Sequence, residues 1–235
     1  MKKSANGIKV NGEKLPFDLV VSNMDVVNTY KKLLPHEAQP AKILNQPKSS
    51  SALIFYWGIN RVFSELSLHN IFFSKDYKTE FEHIFKHKTI WKDPTVYINI
   101  TSKHKADDAP PNSENWFVMI NVPNNSGQDW DSLIAQAREN ILAKLSRMLG
   151  ADIKQYIAVE AILEPRIIES KTSSSQGALY GNSSNNRYAA FLRHANFSSE
   201  IKNLYFCGGS VHPGGGIPLA ISSAKIVADL IGKRQ

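Results

Sequence analysis

Five glycines fall within nine residues, at Gly208, Gly209, Gly214, Gly215 and Gly216, between a short apolar run at Leu204–Cys207 and a segment that opens with Pro218. Glycine takes the side chain out of the path of the backbone, and proline is favoured in the first turn of a helix. A strand that ends in glycines and feeds a helix start leaves unpaired N–H groups at the positive end of a helix dipole, which suits a phosphate or an anionic ring. A lone glycine pair would read as a tight turn; the density here and the strand-to-helix setting favour a ligand. His212, inside the loop ahead of Pro213, belongs to the same candidate site. Other reactive residue types carry less. Cys207 sits in a buried-strand context, where cysteine behaves as a small apolar residue. His83 and His87 stand four apart on an expected helix, as zinc ligands can, yet no third ligand accompanies them, so no metal site is expected. Asn99-Ile100-Thr101 and Asn196-Phe197-Ser198 fit the glycosylation pattern but carry no meaning without a secretory leader.

The elements that must position the loop are legible as patterns. Ile8–Val10 and Phe17–Asn23 read as short strands with Asn11-Gly12 as the turn pair, and the near-continuous apolar run of the second suits a strand covered on both faces, as in a parallel sheet. Asp25–Leu34 reads as a helix closed by Pro35, and the prolines and serines of residues 35–51 as a surface connection. Strands are expected at Ala52–Ile59, His69–Ser74, Thr95–Thr101, Asn115–Val122 and Tyr156–Leu163; several alternate, which implies one wet or cavity-lining face. Helices are expected at Lys75–His87 and at Asp129–Leu149, whose stripe is Trp130, Leu133, Ala137, Ile141, Leu145 and Met148, with Asp129 or Ser126 as cap and Gly150 as terminator. Ser170–Asn186 reads as a loop, and a last helix starts near Pro218.

Composition bounds the class. A chain of 235 residues with 42% hydrophobic and 21% charged residues, 13 Gly and 11 Pro is globular, not disordered, collagenous or coiled-coil. The net charge of +7 is scattered, and its densest stretch, His83–Lys92, alternates with core-type residues, so nucleic acid is not an expected partner. One cysteine allows no intrachain disulfide and fits a reducing compartment. The two lysines at the start are not followed by an apolar stretch, and no run of 18 apolar residues occurs, so neither a secretory leader nor a membrane span is expected.

LYFCGG (Leu204–Gly209), HPGGGIP (His212–Pro218) and SAK (Ser223–Lys225) resemble the C-terminal flavin-binding signature of the carotenoid (phytoene-type) desaturases, a branch of the FAD-dependent amine-oxidase-like superfamily. VVSNMDVVNTYKKLLP (Val20–Pro35), DPTVYINIT (Asp93–Thr101), ENWFVMINVP (Glu114–Pro123) and GALYG (Gly177–Gly181) extend the likeness over essentially the whole chain. The resemblance implies an α/β fold: the C-terminal part of an FAD-binding, glutathione-reductase-like Rossmann domain at residues 1–34 and 195–235, and an α+β substrate domain with a mixed or antiparallel sheet at residues 35–194. Such proteins open with a G-x-G-x-x-G unit for the pyrophosphate. Nothing here fits that pattern, so the chain is expected to be a C-terminal half, with a separate N-terminal half as a candidate partner.

Carried over residue by residue, the resemblance implies FAD held by Gly208, Gly209 and Ser210 along the ribityl and phosphate region and by Gly215, Gly216, Ile217 and Pro218 against the isoalloxazine, with His212 adjacent. Gly209 stands where the wider superfamily often has an acidic residue for the ribityl chain. The implied reaction removes two hydrogens from a saturated carbon pair of a carotenoid or other long polyene; a related saturase or isomerase of isoprenoids, or a non-catalytic lipid-binding fragment, remain alternatives. Phe55, Trp57, Phe72, Phe73, Tyr97, Trp116, Phe117 and Met119 are candidate walls of an apolar tunnel, with plain core packing as the competing reading. No catalytic base is assigned. A cytoplasmic protein with peripheral membrane contact is expected, the basic excess meeting anionic headgroups. An FAD portion of this kind, alone, would bare apolar strand faces and a sheet edge.

Overall fold

The computed structural model describes residues 3–183 and 192–233. In chain order the elements are β1 (Lys3–Ser4), β2 (Gly7–Val10), β3 (Glu13–Pro16), β4 (Val20–Ser22), α1 (Val26–Asn28, running into a π-helical turn at Thr29–Leu33), α2 (Ala41–Leu44), β5 (Ser51–Ile59), β6 (His69–Phe72), α3 (Tyr77–Glu82, followed by a second π turn at His83–His87), β7 (Val96–Asn99), β8 (Glu114–Val122), α4 (Trp130–Leu149), β9 (Ile157–Leu163), α5 (Pro165–Thr172), β10 (Ile201–Lys202), β11 (Leu204–Phe206) and α6 (Ile217–Gly232). The chain divides into two compact units, residues 1–49 with 169–235 and residues 50–168.

The second unit is built on a five-stranded sheet ordered β6-β7-β8-β5-β9, with every neighbour antiparallel. Strict alternation along β8 sends Trp116, Val118, Ile120 and Val122 to the core, where they join Leu53, Phe55 and Trp57 of β5 and Ile141 and Leu145 of α4. The α4 ends follow sequence chemistry: the Asp129 carboxylate accepts the Ser132 N–H at 3.2 Å, and Gly150 closes the helix at φ +62°. Met148 departs from the expected burial, being 53% exposed in the last turn of α4 although it lies only about 20° round the helix from the buried Ile141 seven residues earlier. Lys144 is held by Asp93 at 2.9 Å and by the carbonyls of Phe73 and Pro94.

The first unit holds three two-stranded pairs: β1 with β10 and β4 with β11, both parallel, and the β2–β3 hairpin. Asn11 at φ +50° and Gly12 at φ +89° make the hairpin turn, as an Asn-Gly pair does. The hairpin partner is therefore Glu13–Pro16, not the Phe17–Asn23 run, of which Val20–Ser22 alone is strand. That strand is parallel to its partner as expected, but it is not covered on both faces: Phe17 and Val21 are 51% and 40% exposed. The first three residues of the expected loop at Ser170–Asn186 belong to α5, and its last three lie outside the described residues. A small core of Val26, Val27, Tyr30, Leu44, Ile201, Leu204, Phe206 and Val211 holds this unit together.

Candidate functional site

Strands β4 and β11 run parallel in register, Leu204 against Val20 and Phe206 against Ser22, and the Cys207 N–H continues the ladder to the Ser22 carbonyl at 3.0 Å. Their C-terminal loops, Asn23–Asp25 and Gly208–Gly216, leave the sheet side by side, at the end of parallel strands where α/β folds bind ligands. Two contacts join the loops. A Cβ on Gly208 (φ +108°) would lie 2.9 Å from Asn23 Oδ1, and the Ser210 hydroxyl accepts the Val26 N–H at 3.0 Å. The two limbs of the glycine loop also touch, since a Cβ on Gly209 would stand 3.3 Å from the Gly215 Cα. The His212–Pro213 peptide at the apex is cis.

The loop gives way to α6 at Gly216, which takes φ +101° and offers no side-chain cap. Pro218 has no N–H, and the helix leaves the N–H groups of Ile217 and Leu219 without intrahelical acceptors; the ladder starts with Ala220 N–H to the Gly216 carbonyl at 2.9 Å. Nothing lies within 4 Å of where a Gly216 Cβ would be, and Ile217 is 79% exposed. This donor-bearing helix start, open at Gly216 although Tyr180 fills the space a Cβ on Gly215 would take, fits a flat anionic group. Gly208, Gly209, Ser210, His212, Gly215, Gly216, Ile217 and Pro218 thus share one turn, although Ser210 is buried and its hydroxyl is engaged with Val26.

A buried polar scaffold holds the loop from beneath, and no sequence signal marked it. The Asn196 carboxamide, 4% exposed, donates to the carbonyls of Phe206 (3.2 Å) and His212 (2.9 Å) and to the Ser223 hydroxyl (2.8 Å), which also accepts the Gly208 N–H at 3.2 Å. One side chain therefore ties the strand end, the far limb of the loop and α6. Asn196 begins an N-x-S tripeptide, and its burial gives that tripeptide a packing role. Arg193 donates to the carbonyls of Tyr180, Gly209 and Asn182 at 2.9–3.1 Å, and burial pulls its pKa down. His194 is buried between Tyr30, whose hydroxyl lies 3.1 Å from Nε2, and the Ala195 carbonyl 2.7 Å from Nδ1; burial holds its pKa below the ordinary value. Burial likewise raises the Cys207 thiol, which does not favour a reactive thiolate there. Among the described residues, no group of three His, Cys, Asp or Glu side chains could hold a metal, and no helix is long and apolar enough to cross a membrane.

In the second unit the candidate wall residues separate by strand parity. Phe55, Trp57, Phe72 and Trp116 face the core, so the packing reading holds for them. Tyr97, Phe117 and Met119 share the opposite, partly open face with the exposed Tyr56, and Phe73, just beyond β6, is exposed. That face carries a depression of about 600 Å³ floored by Tyr56, Phe117, Val159 and Ala161 and edged by Asn99 and Asn115.

No protein-family model matches the chain. It is 59% identical over 214 residues to a 1-hydroxycarotenoid 3,4-desaturase of Flavobacterium sp. (strain P99-3), covering 91% of this chain and 44% of that protein. It is 34% identical over 251 residues to a phytoene desaturase of Fusarium fujikuroi, covering 97% and 44%, and 35% identical over 227 residues to a 4,4'-diapolycopene oxygenase of Methylomonas sp, covering 94% and 45%. The chain thus spans less than half the length of these curated relatives. An oxidoreductase from Methanosarcina mazei shares the fold, with a TM-score of 0.60 at 13% identity over 96% of this chain and 46% of that one. With its glycine loop set between a parallel strand pair and a helix start, and with likeness to these proteins along nearly all of its length, the chain belongs to the carotenoid desaturases and corresponds to the C-terminal half of such a protein.

Proposed function

We propose that the chain is the C-terminal half of an FAD-dependent carotenoid desaturase that introduces a C=C bond into a linear polyene. The observation that carries this reading is the end of the Gly208–Pro218 turn, open at Gly216 where α6 presents the Ile217 and Leu219 N–H groups without intrahelical acceptors. Held against this turn, FAD would supply the two-electron oxidant for removing two hydrogens from adjacent saturated carbons. The chain's own residues do the positioning. Gly208 and Gly209 admit the ribityl and phosphate region close to the backbone, and Ser210 fixes the loop to the start of α1 through Val26. Gly215, Gly216 and Pro218 shape the approach to the ring, where the Ile217 and Leu219 N–H groups, at the positive end of α6, stabilise negative charge. His212 fixes the apex through its backbone, donating to the His194 carbonyl at 2.9 Å and accepting from Asn196.

On this reading the first unit belongs to the FAD-binding domain, and the second presents the open sheet face to the hydrocarbon. An apolar substrate drawn from a bilayer accords with peripheral attachment to its surface, the exposed lysines meeting anionic headgroups. The test is co-expression with the remaining half of a relative, followed by measurement of flavin absorbance and of product mass after incubation with a dispersed carotenoid. Bound flavin together with loss of two hydrogens is the expected result. A gain of two hydrogens or an unchanged mass would move the reading to a saturase or an isomerase, and a well-folded complex without flavin would overturn it.

A further inference from the structure

We propose that Tyr180 forms a further wall of the flavin site, its ring lying against the isoalloxazine that the end of the glycine loop would hold. The inference rests on the flavin reading above and adds a side-chain contact to a site otherwise made mostly of backbone. Two of the five loop glycines, Gly209 and Gly215, are not among the residues with positive φ. Their missing side chains answer to space. A Cβ on Gly209 would meet the other limb of the loop, whereas one on Gly215 would lie 2.7 Å from the Tyr180 Cβ and 2.9 Å from its Cγ. Gly215 is therefore the residue that lets the Tyr180 ring in, and the ring reaches the loop one position before Gly216, where nothing lies within 4 Å of a Cβ.

The backbone that carries the ring is tied on both sides. The Tyr180 N–H donates to Ser49 Oγ at 3.0 Å, and its carbonyl accepts from Arg193 Nη1 at 2.9 Å, the same nitrogen that reaches the Gly209 carbonyl at 3.1 Å. The next residue, Gly181, comes so close to the loop that a Cβ would stand 2.8 Å from the Ser210 Cα, and two residues before the ring Ala178 is buried. The Gly177–Gly181 turn thus grips the glycine loop at Gly209, Ser210 and Gly215, and yet Tyr180 stays 46% exposed. Its uncovered ring surface stands beside the open start of α6. An aromatic ring fixed in this way has already given up the freedom that binding would cost it, and it gains most from a second ring in offset or edge contact. A flat ligand held by the Ile217 and Leu219 N–H groups supplies that ring.

The test uses the complex co-expressed with the remaining half of a relative, with this chain unsubstituted, as Tyr180→Phe and as Tyr180→Leu. Affinity is read by titrating FAD into the flavin-stripped complex, and contact by the NMR resonance of the Tyr180 ring, identified by its loss in Tyr180→Phe, before and after loading. Tyr180→Leu should bind FAD about fivefold more weakly, the equivalent of one aromatic pair, and Tyr180→Phe within about twofold of the unsubstituted chain. The Tyr180 resonance should shift on loading through the ring current of the isoalloxazine, whereas a ring that only props the loop would weaken binding on substitution without that shift. A resonance that stays in place, or an affinity unchanged in Tyr180→Leu, overturns the assignment and leaves the flavin reading standing. Should Tyr180→Leu fail to fold, the resonance of the unsubstituted complex decides. A well-folded unsubstituted complex that takes up no flavin removes both readings.

Discussion

Cutting the tie between Asn196 and Ser223 should destabilise the glycine loop in a way that is not additive. The Asn196 carboxamide has two N–H groups and three acceptors at 2.8–3.2 Å, so one of the three bonds is shared. Asn196→Ala leaves the Phe206 and His212 carbonyls short of a donor, and with each buried orphan costing about 1–3 kcal/mol the loss should be roughly 2–4 kcal/mol. Ser223→Ala strands the Gly208 N–H and one Asn196 N–H, for about 1–3 kcal/mol. Because the bond between the two side chains can be lost only once, the double variant should cost about 1 kcal/mol less than the sum of the singles. All four tryptophans, Trp57, Trp91, Trp116 and Trp130, lie in the second unit. Urea unfolding followed by tryptophan fluorescence should therefore stay in place, while amide hydrogen exchange at Gly208 and Phe206 reports the weakened first unit. Additive single effects, or a tryptophan transition that moves as far as the exchange data, would refute the reasoning.

Two further outcomes follow from the same unit. His194 is held below its ordinary pKa of 6.5 by burial, so below that pH the unfolded chain takes up a proton that the folded chain refuses. Stability should then fall with a slope of at most about 1.4 kcal/mol per pH unit until the folded-state pKa is reached, and His194→Gln should remove that slope in pH-dependent denaturation; an unchanged slope would rule His194 out as its source. Gly181 takes φ +65°, and a Cβ there would lie 2.8 Å from the Ser210 Cα, so Gly181→Ala should cost about 2–4 kcal/mol through backbone strain and overlap. Gly150→Ala, at φ +62° with open space around it, should cost about 1 kcal/mol in the same thermal melts, and equal costs would contradict the steric argument.

Features that depend on neighbours in sequence were legible before the fold was known. Asp129 and Gly150 bound α4 because capping and left-handed termination are chemistry of the chain itself, and the alternation along Asn115–Val122 survives as the two faces of β8. The glycine loop was legible for the same reason, since bare backbone ahead of Pro218 shows in one dimension. α5 was not, because it starts at Pro165 behind Glu164, whose carboxylate accepts the Arg166 N–H although glutamate is not a preferred cap. Asn196 stood out only in a tripeptide and Ser223 only in the SAK segment, and Arg193 and His194 not at all, because their roles consist of bonds to atoms remote in sequence.

The distribution of bare apolar surface ties the loop to the proposal about the rest of the protein. α6 is rich in Ile, Leu, Val and Ala, yet only Ser223 and Val227 along it are buried, leaving Ile217, Leu219 and Ile221 uncovered. A helix that is apolar on more than one face is made to be enclosed. On β4 and the segment before it, Phe17, Leu19 and Val21 are uncovered as well, and a two-stranded pair is marginal alone. These surfaces flank the loop that is proposed to hold the flavin, so whatever layer covers them also removes water from around the unpaired N–H groups of Ile217 and Leu219. Those dipoles act more strongly in a dry site than in a wet one. Cofactor affinity and burial of this apolar surface should therefore rise together, and a chain that keeps Ile217 and Val21 in water should hold flavin weakly even with every residue of the loop in place.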